Sequence, residues 1–177
     1  MLFWHLGASI AIARYTFRDE KMDLRFLALG ALLPDIVDTP IGLAMWDSFQ
    51  SVRLVAHSLL AAVAVMILVL IRTRRGRPRR RWMAVAVGML LHLFLDAMWD
   101  SQETLLWPFL GTTFSEQAYA TAGAYVASVI SDPLVWALEV VGVAYLLVLA
   151  RRGKLGDSAA RNAFVRTGVI EVPIPEG

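Results

Sequence analysis

Long apolar runs separated by short polar turns lay this chain out as a series of helices. Residues 52–71 and 82–99 each hold close to the ~20 apolar residues that cross a bilayer core, and residues 133–150 form a third such run. Residues 24–46 are apolar too, but Pro34, Asp35, Asp38, Pro40 and Gly42 interrupt them. Proline removes a helical N–H and crowds the preceding turn, so the pattern predicts a helix broken at Pro34, with a new half-helix starting there. Residues 2–13 are too short to span alone and read as a partly inserted segment or an interfacial anchor. The expected fold is all-α: an integral membrane bundle of about four to five membrane-embedded helices. Residues 1–150 would form the embedded domain, and residues 151–177 a solvated, cytoplasmic C-terminal tail.

Composition agrees with that reading. The chain is 58% hydrophobic with a mean hydropathy of +0.58, well above a soluble domain of 177 residues. It has no cysteine, which excludes disulfides and thiolate metal sites. No basic stretch precedes the first apolar run and no small-residue cleavage motif follows it, so a cleavable signal peptide is not expected.

Charge then gives an orientation. Residues 72–81 (RTRRGRPRRR) hold seven arginines; Arg14, Arg18, Lys21 and Arg25 surround the first turn, and five more basic residues follow the last span. Sixteen of the seventeen basic residues fall on one side, and residues 100–132 on the other side contain none. The positive-inside rule puts the arginine loop and the tail of a multi-pass membrane protein in the cytoplasm. A basic turn between two spans is a topology signal with anionic-lipid contact, so the bilayer, not nucleic acid, is the expected partner.

Ionisable residues at membrane depth are costly unless paired or coordinated, which makes the polar exceptions informative. His5, Asp35, Asp38, His57, His92 and Asp96 all lie in apolar stretches. His57 is fifteen residues before Arg72 and Asp96 fifteen after Arg81, so two antiparallel helices would carry both about 22 Å above the basic loop. His92 and Asp96 are i and i+4 on one face. Asp35 and His5 count to a similar depth from Arg25 and Arg14. Glu139, inside the last apolar run, lies at a comparable level, and Arg53 is four residues before His57. Imidazole and carboxylate without thiolate suit zinc, with manganese or iron as alternatives. No nucleophile elbow, P-loop or dinucleotide fingerprint is present. Trp46, Trp99, Trp107, Phe109 and Phe114 suit an outer aromatic belt, and the segment LLWPFLGTTF suits a lid over the site.

The sequence LLPDIVD, then RLVAHS at 53–58, HLFLD at 92–96 and LLWPF at 105–109 resembles the YdjM-like family of inner-membrane proteins held to be metal-dependent hydrolases. The resemblance covers roughly residues 1–150 and implies a helical, multi-span protein. Its implied metal ligands are His5, Asp35, Asp38, His57, His92 and Asp96. Where members often carry HRGxTHS, this chain has Val52, Leu54 and Ala56 in place of the first histidine, the glycine and the threonine, and it spaces the PD motif as PDxxD.

The favoured reading is metal-dependent hydrolysis of an ester or phosphoester in a lipid or lipid-linked molecule. His57, His92, Asp96 and Asp35 would hold a divalent ion, Asp38 or Glu139 would act on the attacking water, and Arg53 would offset anionic charge. The competing reading is a non-enzymatic membrane protein, a transporter or a structural bundle, built on the same cluster.

Overall fold

The computed structural model describes residues 1–173. All regular structure among them is helical: α1 (Leu2–Phe17), α2 (Leu24–Ala44), α3 (Trp46–Phe49), α4 (Leu59–Arg72), α5 (Arg77–Leu95), α6 (Gln102–Leu105), α7 (Ala122–Ser131), α8 (Pro133–Arg152) and α9 (Ser158–Thr167). Two single 3₁₀ turns, Val55–His57 and Met98–Asp100, complete it.

The central contact is α2 against α5, and small residues make it possible. A Cβ on Gly30 would lie 2.0 Å from Val85 O, and one on Gly88 would lie 2.4 Å from Leu27 O, so the two backbones touch. Helices that must associate within lipid use this device, because close approach replaces a hydrophobic driving force that lipid does not supply. α1 lies on α8 in the same way, with Gly142 against the Phe3 backbone. The outer faces stay apolar and uncovered: Leu134 and Val140 on α8 are 63% and 65% exposed. The polar residues His5, His57, His92 and Asp38 are buried. That inversion of the soluble pattern is what a bilayer solvent favours.

Two helices, α2 and α8, are long and apolar enough to cross a membrane, against the four to five embedded helices expected from the sequence. α4 and α7 are apolar but only 14 and 10 residues long. The expected span 52–71 is not one helix, because residues 51–58 are irregular apart from the 3₁₀ turn. The carboxylate of Asp38 accounts for this. Its Oδ2 accepts from Leu54 N (2.9 Å) and His57 N (3.0 Å), giving buried backbone donors a partner that helical geometry would otherwise have to supply. Ser58 then caps α4 by accepting from Ala61 N.

The break expected at Pro34 is absent. α2 runs unbroken through Pro34 and Pro40, and no half-helix starts at Asp35. Proline is tolerated where a neighbouring helix supplies the partners that the distorted ladder loses. His92 of α5 donates to Ala31 O, the carbonyl next to Gly30 O, which Pro34 leaves without a helical donor, and so braces this turn from another helix.

The basic segments meet at one end of the bundle. Arg80 pairs with Asp19, and Arg81 Nε donates to Asp23 Oδ2 at 2.7 Å. Burial pushes the Asp23 carboxyl up, but hydrogen bonds from Arg25 and Arg81 outweigh it and hold the group below the usual carboxylate range. The tail joins the same knot and, through residue 172, is not the solvated extension expected from the sequence. Leu24 N donates to Gly168 O at 2.8 Å, Arg14 donates to Val172 O at 2.6 Å, and Ile170 is buried with Leu24, Leu27, Ala84 and Leu149. The last four positions assigned to the tail, 174–177, lie outside the described residues.

Candidate metal centre

Four segments converge on one buried point: the start of α1 with His5, the middle of α2 with Asp35 and Asp38, the irregular 51–58 segment with His57, and the end of α5 with His92 and Asp96. Each histidine has its Nδ1 against an acceptor. His5 Nδ1 faces Met1 O, His57 Nδ1 faces Asp38 Oδ2 at 2.8 Å, and His92 Nδ1 faces Ala31 O at 2.7 Å. A carbonyl or carboxylate oxygen only accepts, so each Nδ1 carries a ring proton; in the neutral ring Nε2 then offers a lone pair, and in the charged ring it donates to the carboxylate that it faces.

Those Nε2 atoms point at one another and at carboxylates. His57 Nε2 and His92 Nε2 are 3.2 Å apart, and His5 Nε2 is 2.9 Å from Asp96 Oδ1. Asp35 Oδ1 is 3.5 Å from His57 Nε2 and 3.7 Å from His92 Nε2. His5 stacks on His92 with ring centroids 4.2 Å apart. Two sets of potential ligand atoms, His5–His92–Asp96 and Asp35–His57–His92, each lie within 4.8 Å of one another. Electron-rich atoms packed this closely repel unless a proton or a metal cation sits among them. A tetrahedral ion bonded at about 2.0–2.1 Å would hold two nitrogens about 3.3–3.4 Å apart, close to the observed 3.2 Å. The donor set therefore fits a divalent ion of zinc type. His92 belongs to both sets, so the two overlap at that ligand.

The remaining sequence candidates stand around this centre. Asp38, 2% exposed, collects three N–H groups on one oxygen and fixes the His57 ring from behind. Histidine ligands are commonly oriented by such a carboxylate. Arg53 Nε donates to Asp96 Oδ2 at 3.0 Å, so Asp96 bridges the histidines and the guanidinium. Glu139 is outside both sets. Its Oε2 accepts from Phe3 N at 2.8 Å and supplies an N-terminal cap to α1 from a neighbouring helix, which helps seat His5. Its Oε1 is buried and has no partner.

A family model described as YdjM inner membrane protein matches residues 3–156. The chain belongs to the YdjM inner membrane protein family. Neither a curated protein nor a solved structure matches it. The YdjM match spans every residue of the cluster and ends within the turn after α8. Membership and the two long apolar helices agree on a membrane location.

Sequence reasoning missed two parts of the site. One is the Ala31 carbonyl, whose only signal is its position three residues before Pro34. The other is α7, which stands over the cluster across an open groove of about 700 Å³. Its signal was the charge-free run AGAYVASVIS, ten residues and thus too short to register as a span. The LLWPFLGTTF segment, expected as a lid, does not line that groove. It folds on itself, with a cis peptide at Trp107–Pro108 and Trp107 stacked on Phe114.

Proposed function

We propose that this chain is a membrane-bound metal-dependent hydrolase acting on an ester or phosphoester of a lipid or lipid-linked molecule. The observation that carries the reading is the inward convergence of three Nε2 atoms with Asp35 and Asp96. A proton can join two of these atoms at a time, whereas a single cation satisfies several of them together, the His57 and His92 Nε2 pair at 3.2 Å included. His5, His57, His92, Asp35 and Asp96 hold a divalent ion, zinc by donor type. When bound, such an ion supplies Lewis acidity and makes water nucleophilic near neutral pH.

The protein's own groups divide the remaining work. Asp38 keeps the His57 proton on Nδ1 and so keeps Nε2 directed inward. Arg53 balances the negative charge of Asp96 and of an anionic substrate. Asp38 and Glu139, the bases expected from the sequence, each have one oxygen engaged by backbone donors, and neither lines the groove. Asp35 lines the groove with a side chain 31% exposed; its Oδ1 faces the histidines as a ligand, and its Oδ2, 3.7 Å from the Met1 amine, is the oxygen left to accept a proton from water.

In this reading residues 1–150 form a multi-pass embedded domain, with α1, α4 and α5 embedded beside α2 and α8. The arginine loop and the C-terminal segment face the cytoplasm. A cysteine placed at Gly76 of this cysteine-free chain should react with an impermeant reagent only after the membrane is opened; reaction in intact cells would reverse the topology.

The function is tested on folded wild-type protein. Divalent metal content is measured by elemental analysis after zinc or manganese loading, beside hydrolysis of a panel of phospholipids, lipid-linked phosphates and carboxylic esters. Bound metal and metal-dependent turnover are expected. Folded protein that takes up no ion under any loading condition returns the cluster to a structural role.

A further inference from the structure

The groove beside the cluster is built of two different surfaces. Its floor is polar, with Asp35, Arg53 and Asp96, while its walls are apolar, with Ile36 on α2 facing Val126 and Ile130 on α7. The mouth is apolar as well: Ile36 is 57%, Val126 37% and Ile130 59% exposed. Water-soluble substrates gain nothing from such an entrance, whereas a hydrocarbon chain does.

α7 is held at two points, Tyr125 and Ile130, and is not packed along its length. Trp46 stacks on Tyr125 with centroids 5.4 Å apart, and Trp136 Nε1 donates to Ile130 O at 2.7 Å. None of its residues is buried, and it makes no extended packing contact with another helix. It stands away from α2 by the width of the groove. A space of about 700 Å³ holds roughly two dozen water-sized groups at about 30 Å³ each, enough for one long chain and a phosphate.

Charge on the floor selects the head group. Asp96 and Asp35 direct oxygens at the histidines. Arg53 spends only Nε, on Asp96, and its Nη1 and Nη2 have no partner among the described residues. Its side chain is 33% exposed and borders the groove. A guanidinium with two free nitrogens at the base of an apolar slot suits the oxygens of a phosphate.

We infer that the groove between α2 and α7 takes the single hydrocarbon chain of a phosphate-headed lipid, which enters sideways from the bilayer and lodges its phosphate against Arg53. This deepens the hydrolase reading and rests on it only for the chemistry that follows binding.

The test reads occupancy, not turnover. Val126→Cys and Ile130→Cys are made separately in the full chain, with Leu147→Cys on the exposed face of α8 as control. Maleimide labelling rates are measured in nanodiscs with dodecyl phosphate, dodecyltrimethylammonium or inorganic phosphate, and metal content is determined on the same samples. Dodecyl phosphate should slow labelling at 126 and 130 at least about tenfold and leave 147 unchanged, while the other two probes should not. Arg53→Gln should remove the preference for the anionic chain, and Arg53→Lys should retain part of it.

Equal slowing by the cationic chain, or none by any probe, overturns the inference. Loss of the preference in Arg53→Lys as well, with 126 and 130 still protected, overturns the role of the Arg53 charge. Metal-dependent hydrolysis of a soluble phosphoester without protection defeats this inference alone. Protection on protein that binds no metal leaves the lipid groove standing and removes the hydrolase.

Discussion

His92→Ala is expected to strip the divalent ion from the folded protein and to lower hydrolysis by about 10³-fold or more. A metal contributes several kcal/mol to charge stabilisation, and each ~1.4 kcal/mol is tenfold in rate. The position is the most sensitive in the cluster because His92 is the ligand common to both sets. Its loss also leaves Ala31 O without its donor beside Pro34, so local stability should fall as well. Activity alone therefore does not discriminate. Elemental analysis is done on protein that keeps its helical circular dichroism and a single gel-filtration peak. Variant protein that retains a full complement of metal would remove His92 from the centre.

Asp38→Ala is expected to be the most destabilising single change at the site, by roughly 3–5 kcal/mol, and to weaken metal affinity about 10–100-fold. Three N–H groups lose their acceptor at once: Leu54 N, His57 N and His57 Nδ1. Two of these hold the irregular 51–58 segment in shape, so the effect reaches beyond the histidine. Asp38→Asn separates the two contributions, since its one side-chain oxygen can still accept from the backbone while the carboxylate's charge is gone. The alanine variant should unfold at markedly lower temperature or denaturant concentration, and the asparagine variant should retain most of the stability but bind metal more weakly. A thermal midpoint for Asp38→Ala equal to that of the wild type would show that the segment does not depend on this carboxylate.

The site was more legible in the sequence than the helices that carry it. Counting at 1.5 Å per residue from the arginine loop set His57 level with Asp96, and His57 Nε2 lies 3.9 Å from Asp96 Oδ2. The count worked although residues 51–58 are not helical, because α4 begins at Leu59, immediately after His57, and α5 runs through His92. Hydropathy could not reveal the irregular segment, since apolar Val52, Leu54 and Val55 look the same in either conformation. What decides the conformation is a carboxylate sixteen residues away in sequence, Asp38 against Leu54. Pro34 misled for the complementary reason, since its local cost is real and the compensating partner lies on another helix. Glu139 was found at the right depth but not in its actual position, because depth along a helix carries no information about facing. The lid was assigned to the aromatic segment, whereas the groove wall is a charge-free helix too short to stand out.

The knot at the basic end also has a bearing on biogenesis. Arg14 is made well over a hundred residues before Val172, and Leu24 well over a hundred before Gly168, the residues whose carbonyls they bond. No intermediate of synthesis can make those bonds. During insertion α1 and α2 must wait with this end open, and the Asp23 cluster can gain its Gly168 neighbour only once residue 168 has been made. Closure of this end therefore follows synthesis of α9, and a nascent chain halted before residue 165 carries every residue of the candidate metal centre while its basic end is still open.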